Sequence, residues 1–361
     1  MRFIGINQLK EGMVVGRKMI GQSGQLLLNY GTRIEKSYIG KIKKLGYMGI
    51  YIDDELSSGI EVADVIDDTL RQKTVSSIKS FFQKAEQGEG LKPKDILNIS
   101  SLVNEMLDKI LSEKDILVNM MDLKIFDDYT FFHSVNVGVL SMSLGAFMNL
   151  SRDSLYHLGL ASVMHDLGKV FVPKEILNKP GKLTEDEFAV MKTHSEKGYD
   201  QIVNSRQFNE NICKAVLDHH ERHDGSGYPN QKCGSEISRL GGIIALADVF
   251  DALTSDRPYR KAWTPSEATE YIMSGYNTQF SEQTVNAFLN KIAPYPVGTL
   301  VQLSNDMTGI VMENYPNFCL RPKIRVIQTG KVRVTPYTMD LKNNPEHFMI
   351  TITGACISTV D

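Results

Sequence analysis

Between about residues 118 and 293, apolar side chains recur at intervals of three and four along nearly every segment, the spacing of helices that bury one face. Residues 132–148, 154–164, 185–203 and 211–219 are each predicted to be helical. Thr184 followed three residues later by Glu187 is a capping box, and it marks where the third of these helices starts. Toward both ends the pattern changes. From 12 to 53 apolar and polar residues alternate, and Met13-Val14-Val15-Gly16 and Gln25-Leu26-Leu27-Leu28 flank Ser23-Gly24, which predicts a hairpin. A helix over 35–45 and a strand over 49–52 would complete a small α/β module. Residues 62–117 carry long helical periodicity, broken at Gln87-Gly88-Glu89-Gly90 and resumed after Lys92-Pro93, as in a helical connector. Beyond Pro294, short β-rich runs at 299–303, 309–313, 323–327 and 348–352 predict a closing β segment.

The expected fold class is therefore multidomain and mainly α. Its expected parts are a small α/β N-terminal module of regulatory character (1–60), a helical connector (61–117), an all-helical bundle (118–293) and a β-rich C-terminal segment (294–361). Composition changes this picture little, since 42% hydrophobic and 23% charged residues describe an ordinary globular chain. Charge removes some function classes. With 40 basic and 43 acidic residues the net charge is -3, which supplies no field for holding polymeric nucleic acid or an anionic membrane. The cysteines (Cys213, Cys233, Cys319, Cys356) stand far apart without a CxxC pair, so reduced thiols are expected instead of a thiolate zinc site or a disulfide framework. Met1-Arg2-Phe3-Ile4-Gly5 does not open a signal peptide, and no uninterrupted apolar run reaches bilayer length. A cytoplasmic location without membrane insertion is the expectation.

The chemistry is concentrated in His219-His220-Glu221-Arg222-His223-Asp224-Gly225-Ser226-Gly227-Tyr228-Pro229, where three histidines and two acids crowd a glycine-punctuated turn. Neighbouring neutral imidazoles offer nitrogen lone pairs that suit a borderline divalent metal. His165-Asp166 and His194 lie upstream and Asp248 downstream, so several separate elements supply nitrogen and carboxylate donors. His133 sits in an otherwise apolar helix; alone, it reads more readily as a satisfied core histidine.

His165-Asp166-Leu167-Gly168-Lys169 resembles the HDxGK motif of the HD phosphohydrolase superfamily, and His219 to Pro229 is similar to the HHExxDGxGYP motif of its HD-GYP branch. The likeness continues through 173–183, Met191-Lys192-Thr193-His194 and 247–260, and covers about 129–265. It implies an all-α HD bundle and a metal-dependent phosphodiesterase. The implied reaction opens cyclic di-GMP to linear pGpG, and in some members continues to GMP, through a hydroxide bridged between metals. Two cations roughly 3.5–4 Å apart can activate such a nucleophile and steady both oxygens of an in-line displacement.

Carried over by position, the resemblance implies seven ligands. His133, His165, Asp166 and Asp248 would serve one divalent cation, and His194, His219 and His220 a second, with Asp166 bridging as a catalytic residue. Iron or manganese is favoured and zinc is admitted. Tyr129 stands four residues before His133, where some members carry a glutamate for a third metal; two metals are therefore expected. Lys169, Tyr228, Arg257 and Arg260 would contact the dinucleotide, with Lys169 also catalytic, because a compact ammonium and bidentate guanidinium groups suit phosphate. Glu221, Asp224 and Asp251 are candidates for orienting ligand histidines, whereas His157, His223 and His347 read as surface or packing residues. Two departures bear on substrate choice: the loop 230–238 lacks the usual Gly-Leu and Ile-Pro features, and Gly242 replaces a common arginine.

The N-terminal segment is similar to small domains found before HD-GYP domains and carries no readable ligand motif. Protein partners at the Gly-Tyr-Pro loop and a homodimer complete the implied associations. Two rival readings remain: a catalytically weak cyclic-dinucleotide receptor signalling through that loop, and a hydrolase of cyclic GMP-AMP.

Overall fold

Ser151, Asn209, Ser238, Thr264 and Ser281 each accept a hydrogen bond from a backbone N–H in the first turn of the helix that follows. Helices in the middle of the chain thus begin where a small polar residue precedes an apolar run. The computed structural model describes residues 1–21, 25–45, 47, 49–112, 117–118, 129–255 and 262–355.

The N-terminal part contains β1 (Arg2–Gly5), β2 (Val14–Val15), β3 (Met19–Ile20), β4 (Leu26–Leu28), α1 (Lys36–Lys44) and β5 (Gly49–Asp53). Its three-stranded sheet has the order β1-β5-β2, and β3 pairs with β4. This corrects the expected hairpin. Leu26–Leu28 pairs with Met19–Ile20, while Val14–Val15 pairs antiparallel with β5, where Val15 lies opposite Ile52 and both are fully buried. Burial of Val15 against the central strand outweighs the local pairing that alternation suggested. The Ser23-Gly24 turn lies outside the described residues.

Twelve helices are described in all. After α1 come α2 (Asp68–Glu86), α3 (Pro93–Ser112), α4 (Tyr129–Phe147), α5 (Arg152–Met164), α6 (Lys174–Leu177), α7 (Glu185–Lys192), α8 (His194–Ser205), α9 (Glu210–Asp218), α10 (Arg239–Thr254), α11 (Pro265–Ser274) and α12 (Glu282–Lys291). A 3₁₀ turn, Leu167–Phe171, follows α5. The single helix expected over 185–203 is two helices. Thr193 breaks it, its hydroxyl bonding back to the Val190 carbonyl at 2.7 Å, and the break lets His194 open a new helix with its ring buried. Both halves keep helical spacing, so periodicity alone does not reveal the joint.

Helix α4 occupies the centre, packed against α2, α3, α5, α10 and α12. Neighbours on every side make it apolar all round. Its window Thr130–Phe147 has mean hydropathy 1.2 and passes for a membrane span by length and composition, yet 78% of it is buried in protein. The main apolar cluster runs from Val65 to Ile292 and includes Phe82 of α2 and Val103, Met106 and Leu107 of α3, so the connector helices share one core with α4, α5 and α10.

The C-terminal part is a five-stranded antiparallel sheet of β6 (Leu300–Leu303), β7 (Met307–Glu313), β8 (Lys323–Thr329), β9 (Val332–Asp340) and β10 (Ile352–Ala355), in the order β10-β6-β7-β8-β9. Strand β9 was not expected. It is an edge strand, the position where Pro336 can be accommodated without losing an inner ladder bond. The strand expected over 348–352 starts only at Ile352, after a 3₁₀ turn at Pro345–His347. The two ends of the chain meet. Phe3 N–H donates to the Gly298 carbonyl at 3.0 Å, Arg325 donates to the Leu56 and Ser58 carbonyls, and Ile60 is buried with Leu300, Ile310 and Ile327.

Candidate metal centre

Three helix ends and two helix interiors bring the site together. His133 and Asp248 project from within α4 and α10, whereas His165 ends α5, His194 begins α8, and His219-His220 follow α9. The rings of His165, His194 and His219 are locked by the same local device. In each, Nδ1 lies within 2.6–2.8 Å of the carbonyl three residues earlier, namely Ser162, Met191 and Val216. A carbonyl only accepts, so Nδ1 carries the proton and Nε2 presents a lone pair.

Those lone pairs converge. His194 Nε2 is 3.2 Å from His219 Nε2 and 3.1 Å from His220 Nε2, and His133 Nε2 is 3.0 Å from Asp248 Oδ1. Asp166 lies between the two groups. Its Oδ2 is 3.4 Å from His165 Nε2 and 3.8 Å from His133 Nε2, and its Oδ1 is 3.7 Å from His194 Nε2. The donors form two sets, His133-His165-Asp166 and His194-His219-His220, with the atoms of each set within 4.8 Å of one another.

Two observations test whether a cation fits. His165 Nε2 and Asp166 Oδ1 are buried and have no hydrogen-bond partner among the described residues, which is costly for polar atoms. His194 and His219 also point unprotonated nitrogens at each other, an arrangement that is repulsive unless a positive charge joins them. The set fits a divalent transition metal, because imidazole and carboxylate are the donors such ions take.

Burial keeps the second group neutral. It pushes the His194 imidazole down to about 4, with the nearby Lys169 charge adding to the effect, and the His220 imidazole down to about 3, with His194 adding; His219 is lowered well below its usual range. His133 goes the other way. Burial opposes its charged form, but Asp248 and Asp251 outweigh burial and raise it to about 9. Asp166 and Asp248 are buried, which favours protonation, yet the surrounding histidines, and Lys169 for Asp166, hold both carboxyls well below the usual range.

The sign of the pH dependence follows. A histidine neutral in the fold down to about pH 4 takes up protons more readily when unfolded, so its contribution is lost as pH falls below about 6.5. His194 alone contributes on the order of 3 kcal/mol across that window. The opposite contribution of His133 is present below about 6.5 and lost as pH rises through about 9. Chelator-treated protein is expected to melt at progressively lower temperature from pH 6.5 to pH 4. A melting temperature flat across that range would contradict this account of the neutral imidazoles.

The surrounding residues are placed as follows. Lys169 Nζ lies 2.6 Å from Asp166 Oδ2 with a quarter of its side chain exposed, at the edge of the cluster. Tyr228 stacks on His220, ring centroids 4.7 Å apart at 29°, so its ring faces the site. Gly168 and Gly227 are required by close approach, since a Cβ on Gly168 would overlap the His194 carbonyl and one on Gly227 would overlap Arg222 N. Arg257 and Arg260 lie outside the described residues, as does the Tyr129 side chain.

Of the three acids considered as orienting groups, Asp251 contacts His133, its Oδ2 accepting from Nδ1 at 2.7 Å. Glu221 instead accepts from Asn230 N–H and Lys232 N–H and ties down the loop after Pro229, and Asp224 accepts from Ser226. Both are committed to local turns. Asn136 and Phe188 are among the residues missed by sequence reasoning. Asn136 donates to Asp251 Oδ1 at 2.9 Å, and Phe188, 47% exposed, meets Tyr228 edge-on at 6.3 Å with Lys192 over its ring. The sequence marked neither, although Asn136 is a buried polar residue one helical turn beyond His133.

A family model of the HD domain matches residues 105–282, the stretch that holds all seven candidate ligands. That stretch, just under half of the chain, is similar to the HD domain family. Its motifs resemble those of the HD-GYP branch. It is 36% identical over 265 residues to a cyclic di-GMP phosphodiesterase of Pseudomonas aeruginosa, spanning 73% of this chain and 63% of that protein. It is 42% identical over 153 residues to the cyclic di-GMP phosphodiesterase response regulator RpfG of Xanthomonas campestris, covering 42% of this chain and 39% of the relative. A Vibrio cholerae protein named 3'3'-cGAMP-specific phosphodiesterase 1 is 39% identical over 163 residues, 45% of this chain and 37% of its own. The chain thus spans less than two thirds of the length of these relatives. Among solved structures, an HDG"Y"P protein of Bdellovibrio bacteriovorus shares the fold, with TM-score 0.53 at 16% identity over 79% of this chain and 97% of that one.

Proposed function

We propose that this HD-GYP protein is a metal-dependent phosphodiesterase that hydrolyses cyclic di-GMP to linear pGpG, with GMP as a further product. The observation that carries the reading is the pair of neighbouring donor groups with the Asp166 carboxylate facing both. His133, His165, Asp166 and Asp248 would hold one cation and His194, His219 and His220 the other. Iron or manganese suits this mixed set, and zinc is admitted. Bound cations supply Lewis acidity and a nucleophile at neutral pH.

The chain's own residues do the remainder. Asp166 stays ionised and keeps the two groups at one spacing, while Asp251 holds the His133 ring so that Nε2 faces Asp248. Lys169 presents an ammonium at the edge of the cluster for a nonbridging phosphate oxygen. Tyr228 and the exposed Phe188 form an aromatic step beside the metal groups, and bases stack on such rings at about 1–3 kcal/mol each. Phe188→Ala is accordingly expected to raise KM for the dinucleotide about tenfold with kcat nearly unchanged. Steady-state kinetics would check this, and an unaltered KM would remove Phe188 from the substrate surface.

A second substrate is favoured by a specific observation. The Vibrio relatives named as cGAMP-specific are 34% and 39% identical to this chain, close to the identities of the cyclic di-GMP relatives. Donors of this kind grip the phosphodiester and do not distinguish the bases. Single-turnover chromatography of cyclic di-GMP against cyclic GMP-AMP, with manganese or ferrous iron present, tests the proposal; faster cleavage of cyclic di-GMP is expected, and cleavage of neither would refute it. A cytoplasmic site of action forms part of the reading, supported by the free thiols of Cys213, Cys233 and Cys319 among the described residues.

A further inference from the structure

Asp251 and Asn136 are each 1% exposed, and neither belongs to the donor groups. They form a line of hydrogen bonds that ends on a proposed ligand. Asn136 Nδ2 donates to Asp251 Oδ1 at 2.9 Å, and His133 Nδ1 donates to Asp251 Oδ2 at 2.7 Å. The other end of the amide is fixed by a different part of the chain. Arg71 of α2, in the segment before the HD bundle, donates from a guanidinium nitrogen to Asn136 Oδ1 at 3.0 Å across 65 residues of sequence.

The orientation of an amide between two partners is decided by which end meets a donor. With Arg71 on its oxygen, Asn136 must turn its NH₂ toward Asp251; with Arg71 absent, the amide can reverse and bring its oxygen against the carboxylate. A reversed amide would push Asp251 away from His133. The Arg71 charge also acts on the partly buried carboxylate of Asp64, which Arg17 of the N-terminal module contacts.

We infer that Arg71 is a positioning residue for the metal centre, acting through Asn136 and Asp251 to fix the His133 ring from outside the HD bundle. The inference rests on the two-cation reading proposed above. The line touches His133 alone, because His165, His194 and His219 are each fixed by their own backbone carbonyl. Arg71 therefore controls one cation of the pair and leaves the His194-His219-His220 group unaffected.

The test is a manganese titration of chelator-stripped, full-length wild type, Arg71→Met, Asn136→Leu and the double variant, read by calorimetry. Loss of an outer partner of a ligand weakens metal binding about 10- to 100-fold. Arg71→Met is expected to weaken one manganese site about tenfold and leave the other as in wild type. The double variant is expected to match Asn136→Leu alone, because the effects of residues acting in series do not multiply. Arg71→Lys keeps a cation for Asp64 and tests the same point if Arg71→Met fails to fold; it should lose about threefold, since a shorter point charge holds the amide less well. Wild-type affinity in both Arg71 variants, equal weakening of both sites, or effects that multiply would overturn the inference. A wild type that takes up no manganese would instead overturn the two-cation reading.

Discussion

Replacing Asp166 by Ala is expected to abolish turnover and strip metal from the protein together. The two oxygens of Asp166 face different donor groups, Oδ2 toward His165 and His133 and Oδ1 toward His194. Asp166 lies against three ring nitrogens, whereas Asp248 meets His133 at 3.0 Å and His220 at 3.9 Å. It is 1% exposed, and the charges around it hold it ionised against its burial. Removing it leaves buried imidazoles without the negative charge that offsets two cations, so both groups lose affinity. Losing a Lewis-acid contribution of several kcal/mol lowers the rate by about a thousandfold or more. Metal analysis and chromatographic assay of the same preparation would check both effects. Normal activity in this variant would refute the bridging role, and full metal content with no activity would assign Asp166 to chemistry alone.

The Lys169→Met variant separates substrate contact from metal holding. Its ammonium is 2.6 Å from Asp166 Oδ2, but Lys169 is not a donor to a metal and a quarter of its side chain reaches solvent. A hydrogen bond to a charged group is worth about 1.5–3 kcal/mol, so turnover is expected to fall about 10- to 100-fold with metal content close to wild type. Loss of metal along with activity would show that Lys169 serves Asp166 instead of a phosphate.

The clustered side chains proposed as ligands were legible because each sits in a short motif whose residue order survives without knowledge of the fold: His165-Asp166, His194 after Met191-Lys192-Thr193, His219-His220, and Asp248 in Ala247-Asp248-Val249. His133 was the weak case. Its helix is apolar throughout, and its partner Asp251 lies 118 residues away, so only packing of α10 on α4 joins them. Asn136, Arg71 and Phe188 were not legible for the same reason: each matters through a contact distant in sequence or through a neighbouring ring. Helix identities followed from periodicity and caps, as at Thr184 with Glu187, where both reciprocal hydrogen bonds form. What periodicity could not provide was pairing. Val14–Val15 joined β5 because Val15 was needed in the core, the joint at Thr193 was masked by helical spacing on both sides, and Pro336 disguised an edge strand.

The claim on which the rest depends is that these seven side chains cage a pair of cations. Counting iron, manganese and zinc per chain, after anaerobic purification and reconstitution with manganese or ferrous iron, tests it most directly. The account predicts two transition-metal ions bound per folded chain. A folded protein that takes up none would contradict it.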